Sequence, residues 1–258
     1  MPYPNYPDKY KAESVLNPQD ILAYRRRLGS LPGVPPPAAI LLCLQHGLPE
    51  RLRRRFPLRR VGRLMGDLYL LKRSGGRVGV MANFGIGAPL MAALCEELIA
   101  WGARRLVSMT WAGGLQPDLR PGDIVVCNQA IRDEGTSHHY LPPGRQVQAD
   151  DRLVAALVSA LQEGGWACRT GVTWTTDAPY RETREEVLQY QAEGVQTVEM
   201  ESAALLAVAK ARGVQATTVC VVGDSLANLR WEAPPDTRVV ERGLEAVYAA
   251  AIQVLSGE

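Results

Sequence analysis

Residues 77–102 read RVGVMANFGIGAPLMAALCEELIAWG. Arg77 to Phe84 reads as a strand and Gly85-Ile86-Gly87-Ala88-Pro89 as a tight turn. A helix follows from about Pro89 to Trp101, because apolar residues recur at helical spacing, proline suits a first turn and Gly102 supplies a stop. The same unit recurs outward from this stretch. Ala39 to Leu44 (AILLCL) is a continuous apolar run, the mark of a parallel strand buried on both faces. Downstream, Leu106 to Thr110, Ile124 to Cys127, Arg169 to Thr175, Val195 to Val198 and Thr217 to Val222 read as strands. Between them Asp150 to Gly164, Thr183 to Glu193 and a segment ending at Arg212 read as helices, and Arg238 to Leu255 is an amphipathic closing helix. Gly113-Gly114 and Leu119 to Asp123 read as turns. Strands and helices alternating at this spacing predict an α/β domain with a central mixed, mostly parallel sheet flanked by helices.

Residues 1–38 are set apart by Pro2, Pro4, Pro7, Pro32, Pro35, Pro36 and Pro37, which bracket one short helix from Pro18 to Leu28. They form an arm, and residues 39–258 a single domain. Arg51 to Arg63 holds seven arginines in thirteen positions among Leu52, Phe56, Leu58 and Val61. This is expected to be a solvated helix face or a source of intersubunit ion pairs, with anion binding as the alternative. Overall, 29 basic residues against 27 acidic leave a net charge of +2, too weak a field for a dedicated nucleic-acid binder. Five cysteines, without a C-x-x-C pair, predict buried thiols in a reducing cytoplasm. The first residues lack the apolar core of a secretion signal, and no apolar run approaches the ~18 residues of a membrane helix. A soluble, cytoplasmic chain that engages no membrane is therefore expected.

Three features bear on chemistry. A strand, Gly-x-Gly and helix at Gly85 to Gly87 can present backbone N–H groups to an anion, or be only a tight turn. The position three after Gly87 is Leu90, so the dinucleotide fingerprint is incomplete. Val198-Glu199-Met200-Glu201-Ser202 sets two carboxylates where an apolar strand meets a helix. They can accept hydrogen bonds from sugar hydroxyls or simply favour a helix start. Asp224, at the mouth of the apolar run TTVCVVG, can act as a general acid or cap a turn. No cluster of His, Cys and carboxylates has metal-ligand spacing, so no metal and no cofactor are expected.

In order along the chain, VGVMANFGIGAP, WAGGLQPDLRPGDIVV, AIRDEGTSHHYLPP, GVTWTTDAPY, VEMESAALLAVAKARG and TTVCVVGDS resemble the nucleoside phosphorylase/uridine phosphorylase superfamily, in its hexamer-forming branch. The resemblance implies a phosphorylase/hydrolase-like α/β fold in which residues 39–258 are the catalytic domain. The implied activity is uridine phosphorylase-like: phosphate cleaves the N-glycosidic bond of a ribonucleoside to give free base and ribose 1-phosphate. It also implies a homo-oligomer, a hexamer. By position, Met200 and Glu201 hold the ribose with Glu199 in support, and Asp224 protonates a leaving purine with Arg238 orienting it. Trp174, Asp177 and Tyr180 lie in the segment that walls the base. The phosphate region falls at Gly87, Ser108, Thr110 and Trp111.

Departures from the family pattern are concentrated at phosphate. Cys43-Leu44-Gln45-His46-Gly47 stands where the family has roughly P-G-D-P-x-R, Ser108 replaces an arginine, and Trp111 replaces a small hydroxyl residue. Nucleosidase relatives also lack those arginines and use water, so N-ribosyl hydrolysis is the rival reading, and a non-catalytic nucleoside-binding relative the third. The family's N-terminal histidine has no counterpart among His46, His138 and His139. The last two read as structural or interfacial.

Overall fold

The computed structural model describes residues 4–257; the first three residues of the arm and Glu258 lie outside the described residues. Ten strands form one mixed sheet. They are β1 (Ala39–Cys43), β2 (Leu58–Arg63), β3 (Asp67–Leu71), β4 (Val78–Ala82), β5 (Arg105–Gly114), β6 (Ile124–Asp133), β7 (Gln146–Gln148), β8 (Cys168–Thr176), β9 (Thr197–Glu199) and β10 (Gln215–Ser225). The helices are α1 (Pro18–Arg27), α2 (Leu48–Arg51), α3 (Ala88–Trp101), α4 (Asp151–Glu163), α5 (Arg184–Ala192), α6 (Ser202–Arg212) and α7 (Thr237–Ser256). The expected alternation is present, and the sheet is mixed, with parallel pairing through its centre. Parallel pairing joins β4, β1, β5 and β10, and again β6, β8 and β9, while β2, β3, β7 and the β10–β6 and β5–β9 contacts are antiparallel.

β1 shows why the central strands are apolar throughout. Ala39, Leu41 and Cys43 pack toward the side covered by α4 and α7, whereas Ile40, Leu42 and Leu44 pack toward α3 and α6. Successive side chains point to opposite faces, so a strand between two helical layers has no solvent side. Each fully buried leucine contributes on the order of 1.5–3 kcal/mol.

Long strands place the site. β5 pairs with β1 from Arg105 to Met109, while β10 follows its other edge to Gly114. Beyond Met109 the first edge is free, and β9 takes it at Gly113 and Gly114. These two glycines are therefore the end of a strand and not a turn. The circuit β5, β10, β6, β8, β9 closes on itself, and a cleft is lined by the ends of β5, β9 and β10.

Two further expectations change. Arg51 to Arg63 is not one helix: it runs through the end of α2 and a 3-10 turn at Leu52–Arg54 into the edge strand β2, antiparallel to β3. Pro57 biases the residue before it toward extended backbone, and a strand with buried Leu58 and three exposed arginines, Arg59, Arg60 and Arg63, continues it. Arg51 pairs with Glu241 and Arg60 with Asp67, both on the surface. All five cysteines are free; Cys168, at the start of β8, is half-exposed and the other four are buried. In the arm, Arg25 of α1 reaches Glu97 of α3 at 3.1 Å and ties the arm to the body. No helix among the described residues is long and apolar enough to cross a membrane.

Candidate active site

The turn from β9 into α6 is organised by a buried carboxylate. Glu199 Oε2 accepts the backbone N–H groups of Glu201 (2.8 Å) and Ser202 (2.7 Å), and Oε1 accepts the Thr175 hydroxyl at 2.6 Å. Thr175 Oγ1 in turn accepts the N–H of Ala203 at 2.9 Å. The first N–H groups of a helix have no partner within the helix, and here one acid and one hydroxyl supply it. Burial still pushes the Glu199 carboxyl up, with these hydrogen bonds opposing it.

Glu201, two residues on and at the N-cap of α6, is only 4% exposed. Its Oε1 accepts the N–H of Gly87 at 2.6 Å. Gly87 caps α3 with φ 102°, a conformation that suits glycine and that aims this N–H away from the helix. Two helix starts thus converge on two neighbouring carboxylates. Burial first, and the charge of Glu199 second, push Glu201 up to about 7.

In front of this turn lies a cleft of about 810 Å³, within the range of small-molecule sites. Trp111 and Gly113 line it from β5, Glu199 and Met200 from the β9–α6 turn, and Asp224 from β10. Tyr180, Glu182 and Arg184 before and at the start of α5, with Arg230 and Trp231 from the loop after β10, complete the mouth. Asp224 follows an irregularity in the β5–β10 register at Gly223, and its Oδ2 accepts the Trp231 indole N–H at 2.8 Å. Gly223 has a steric reason: a Cβ there would fall inside the Trp111 ring, which lies against its backbone. Glu182, half-buried, is pushed up to about 7 by burial, then by the charges of Asp224 and Glu186.

The residues singled out from the sequence divide. Glu199, Met200, Asp224, Tyr180 and Trp111 line the cleft, whereas Glu201, next to Met200 in the chain, is buried outside the lining on the Gly87 N–H. Trp174 does not. It is 1% exposed, donates its indole N–H to Asp133 at 2.9 Å and packs on Tyr190, because its position on β8 points into a core shared with Leu115 and Val187. Asp177 accepts the N–H of Gly135 at 2.7 Å and lies outside the cleft lining. Arg238 is 80% exposed and engaged with Asp236 at the start of α7; the partner of Asp224 is Trp231.

In the expected phosphate region, the Gly87 N–H is taken by Glu201. Ser108 is buried between β1 and β10, and the Thr110 hydroxyl donates to the Trp111 carbonyl. Of these four only Trp111 faces the cleft. His138 Nε2 lies 3.1 Å from the Arg132 carbonyl, holding the loop after β6, and His46 Nδ1 lies 3.1 Å from Asn83 Oδ1.

Four cleft residues were not anticipated: Glu182, Arg184, Arg230 and Trp231. The first two flank Thr183, whose hydroxyl and Glu186 cap α5, so the helix start was legible although its direction was not. Arg230 and Trp231 lie in LANLRWEAPPDT, which carries no periodic pattern.

The site is thus a cleft lined by aromatic side chains and carboxylates, set beside a helix start that a buried carboxylate anchors. The profile of the phosphorylase superfamily matches residues 39–255, and the chain belongs to that superfamily. The uridine phosphorylase of Salmonella typhimurium is 30% identical over 161 residues, covering 57% of this chain and 64% of that protein. The chain thus spans just under two thirds of that relative's length. The guanosine phosphorylase of Halorubrum lacusprofundi is 30% identical over 171 residues, 66% of this chain and 71% of that one. The Haemophilus influenzae uridine phosphorylase is 28% identical over 198 residues, covering 70% and 78%. The crystal structure of purine nucleoside phosphorylase from Toxoplasma gondii in complex with immucillin-H superposes with a TM-score of 0.76 over 86% of this chain and 92% of that one, at 19% identity, a likeness of fold.

Proposed function

We propose that this protein cleaves the N-glycosidic bond of a ribonucleoside with inorganic phosphate, releasing free base and ribose 1-phosphate. The observation that carries the reading is the β9–α6 turn: Glu199 fixes the backbone of Glu201 and Ser202, and Met200 between the two acids borders the cleft. Ribose hydroxyls are donors, and a buried carboxylate whose charged form is disfavoured gains most from accepting them. Tyr180, Trp111 and Trp231 offer flat faces to the base, and carboxyls at the mouth can protonate it as it leaves. The homologues named as uridine and guanosine phosphorylases support the same reaction class.

Residues 39–258 form the catalytic unit in this reading and residues 1–38 an arm on it. The protein works as a homo-oligomer, a hexamer built from dimers, in nucleoside catabolism and salvage in the cytoplasm. It engages no nucleic acid, and no cofactor beyond phosphate is required.

A second reading, hydrolysis by water, is favoured by one specific observation: three of the four residues at the expected phosphate position are turned away or already engaged, and Trp111 fills the fourth. The deciding measurement is base release from a panel of purine and pyrimidine nucleosides with and without phosphate. Phosphorolysis requires rates that rise and saturate with phosphate and yield ribose 1-phosphate. Equal rates in phosphate-free buffer with free ribose as product would assign a hydrolase, and nucleoside binding without turnover a non-catalytic relative.

A further inference from the structure

We infer that Thr175 on β8 is the positioning residue for sugar recognition: its hydroxyl fixes the first turn of α6, and through that turn the Glu201 carboxylate that accepts the ribose hydroxyls. The inference rests on the nucleoside-cleaving reading above. β9 has only three residues, and β5 pairs with it at Gly113 and Gly114 alone. Its other neighbour, β8, pairs along its whole length, Thr173 with Thr197, Trp174 with Val198 and Thr175 with Glu199. Alternate side chains of a strand take opposite faces, so these pairs divide. Trp174 and Val198 join one apolar cluster, while Thr173, Thr175, Thr197 and Glu199, each at most 6% exposed, carry side-chain hydrogen bonds between the two strands.

The two polar rungs end differently. At the first, the Thr197 hydroxyl donates to Thr173 Oγ1 at 2.9 Å and the Thr173 hydroxyl donates to the Thr197 carbonyl at 3.2 Å, so the rung closes on itself. At the second, the Thr175 hydroxyl donates to Glu199 Oε1 at 2.6 Å while its oxygen accepts the Ala203 N–H at 2.9 Å, so the rung reaches into α6. A hydroxyl has one proton to give and lone pairs to receive, and both capacities here serve the β9–α6 turn. With Oε1 held by Thr175, Oε2 is turned to the N–H groups of Glu201 and Ser202.

Three consecutive N–H groups, those of Glu201, Ser202 and Ala203, are thus pinned by Thr175 and by the carboxylate it orients. Glu201 is the N-cap residue of this helix, and its own carboxylate meets the Gly87 N–H at 2.6 Å. Removing the Thr175 hydroxyl frees the Glu199 carboxylate to turn, leaves the Ala203 N–H without its acceptor and lets the N-cap shift. Removing the Thr173 hydroxyl leaves all of these contacts in place. A side chain that touches no substrate therefore sets the geometry of one that does.

The test is sugar preference, measured as the ratio of kcat/KM for base release from uridine over 2′-deoxyuridine, and from inosine over 2′-deoxyinosine. A 2′-deoxy substrate has one hydroxyl fewer to give to Glu201. Thr175→Val should lower kcat/KM for the ribonucleosides by about tenfold or more and for the deoxy forms by less, so that the ratio falls. Thr175→Cys, whose thiol is a weak donor and acceptor, should do the same, and it keeps the test open where the valine variant does not fold. Thr175→Ser, which restores the hydroxyl, should return the ratio to within ~3-fold of the wild type. Thr173→Val should lower the denaturation midpoint and leave the ratio unchanged. In a Glu201→Gln background Thr175→Val should shift the ratio no further, since the two act through one contact. An unchanged ratio in the valine and cysteine variants, a collapsed ratio in Thr175→Ser, or an equal fall in Thr173→Val would overturn the assignment and leave nucleoside cleavage standing. Failure of the wild type to release base from any nucleoside would overturn both.

Discussion

Replacing Glu201 by Gln tests the electrostatics of the site through stability, without any substrate. The wild-type carboxyl is 4% exposed and stands beside Glu199, and its folded pKa of about 7 lies above the ordinary 4.5. Between those values the folded state binds a proton that the unfolded chain has released, so stability falls as pH rises through this window. The interval corresponds to a loss of about 3 kcal/mol, complete above pH 7. Glutamine has the same shape, offers an oxygen to the Gly87 N–H and never ionises. Urea unfolding at fixed protein concentration from pH 5 to 8 should give Glu201→Gln within ~1 kcal/mol of the wild type at pH 5 and about 2–3 kcal/mol above it at pH 8. Titrations of groups remote from Glu201 cancel in the difference, while its neighbour Glu199 ionises more easily in the variant and adds to the same sign. The same variant should bind ribose-containing ligands more weakly, by about 1.5–3 kcal/mol for each charge-assisted hydrogen bond lost. A stability difference that is flat with pH, or a variant less stable at pH 8, would refute the argument that Glu201 carries an uncompensated buried charge.

Three further substitutions follow from the contacts. Thr175→Val keeps the shape but removes the donor to Glu199 and the acceptor of the Ala203 N–H, and should cost about 2–5 kcal/mol in chemical denaturation, against under ~1 kcal/mol for Thr175→Ser. Gly223→Ala should destabilise by at least ~2 kcal/mol because Trp111 must move, and by under ~1 kcal/mol in a Trp111→Ala background; equal costs in both would dissociate the pair. Trp231→Phe, at an exposed position, should leave the unfolding free energy within ~0.5 kcal/mol while lowering purine nucleoside turnover by no more than about tenfold, since it frees Asp224 without removing it. Steady-state kinetics showing no change would mean that the orientation of Asp224 is irrelevant to the reaction.

The sequence by itself determined the layers and one half of the site. A short apolar run such as AILLCL bounded by prolines reads as a strand covered on both faces, and the capped, periodic stretches read as helices, because both patterns are local consequences of backbone period. The Glu199-Met200-Glu201 turn was legible for the same reason: its residues are adjacent, and a strand running into a helix brings them to one helix start. The tertiary structure decided what lies opposite. Trp174 reads as a wall and is core, since one residue of register decides which face of β8 it takes. Arg238 reads as the partner of Asp224, yet an irregular loop delivers Trp231 instead. Glu182 carries no motif at all, and its proton affinity arises from burial and from Asp224, forty-two positions later in the chain. Period and capping are written in neighbouring residues, whereas electrostatic pairing depends on distances that only the closed sheet and its loops set.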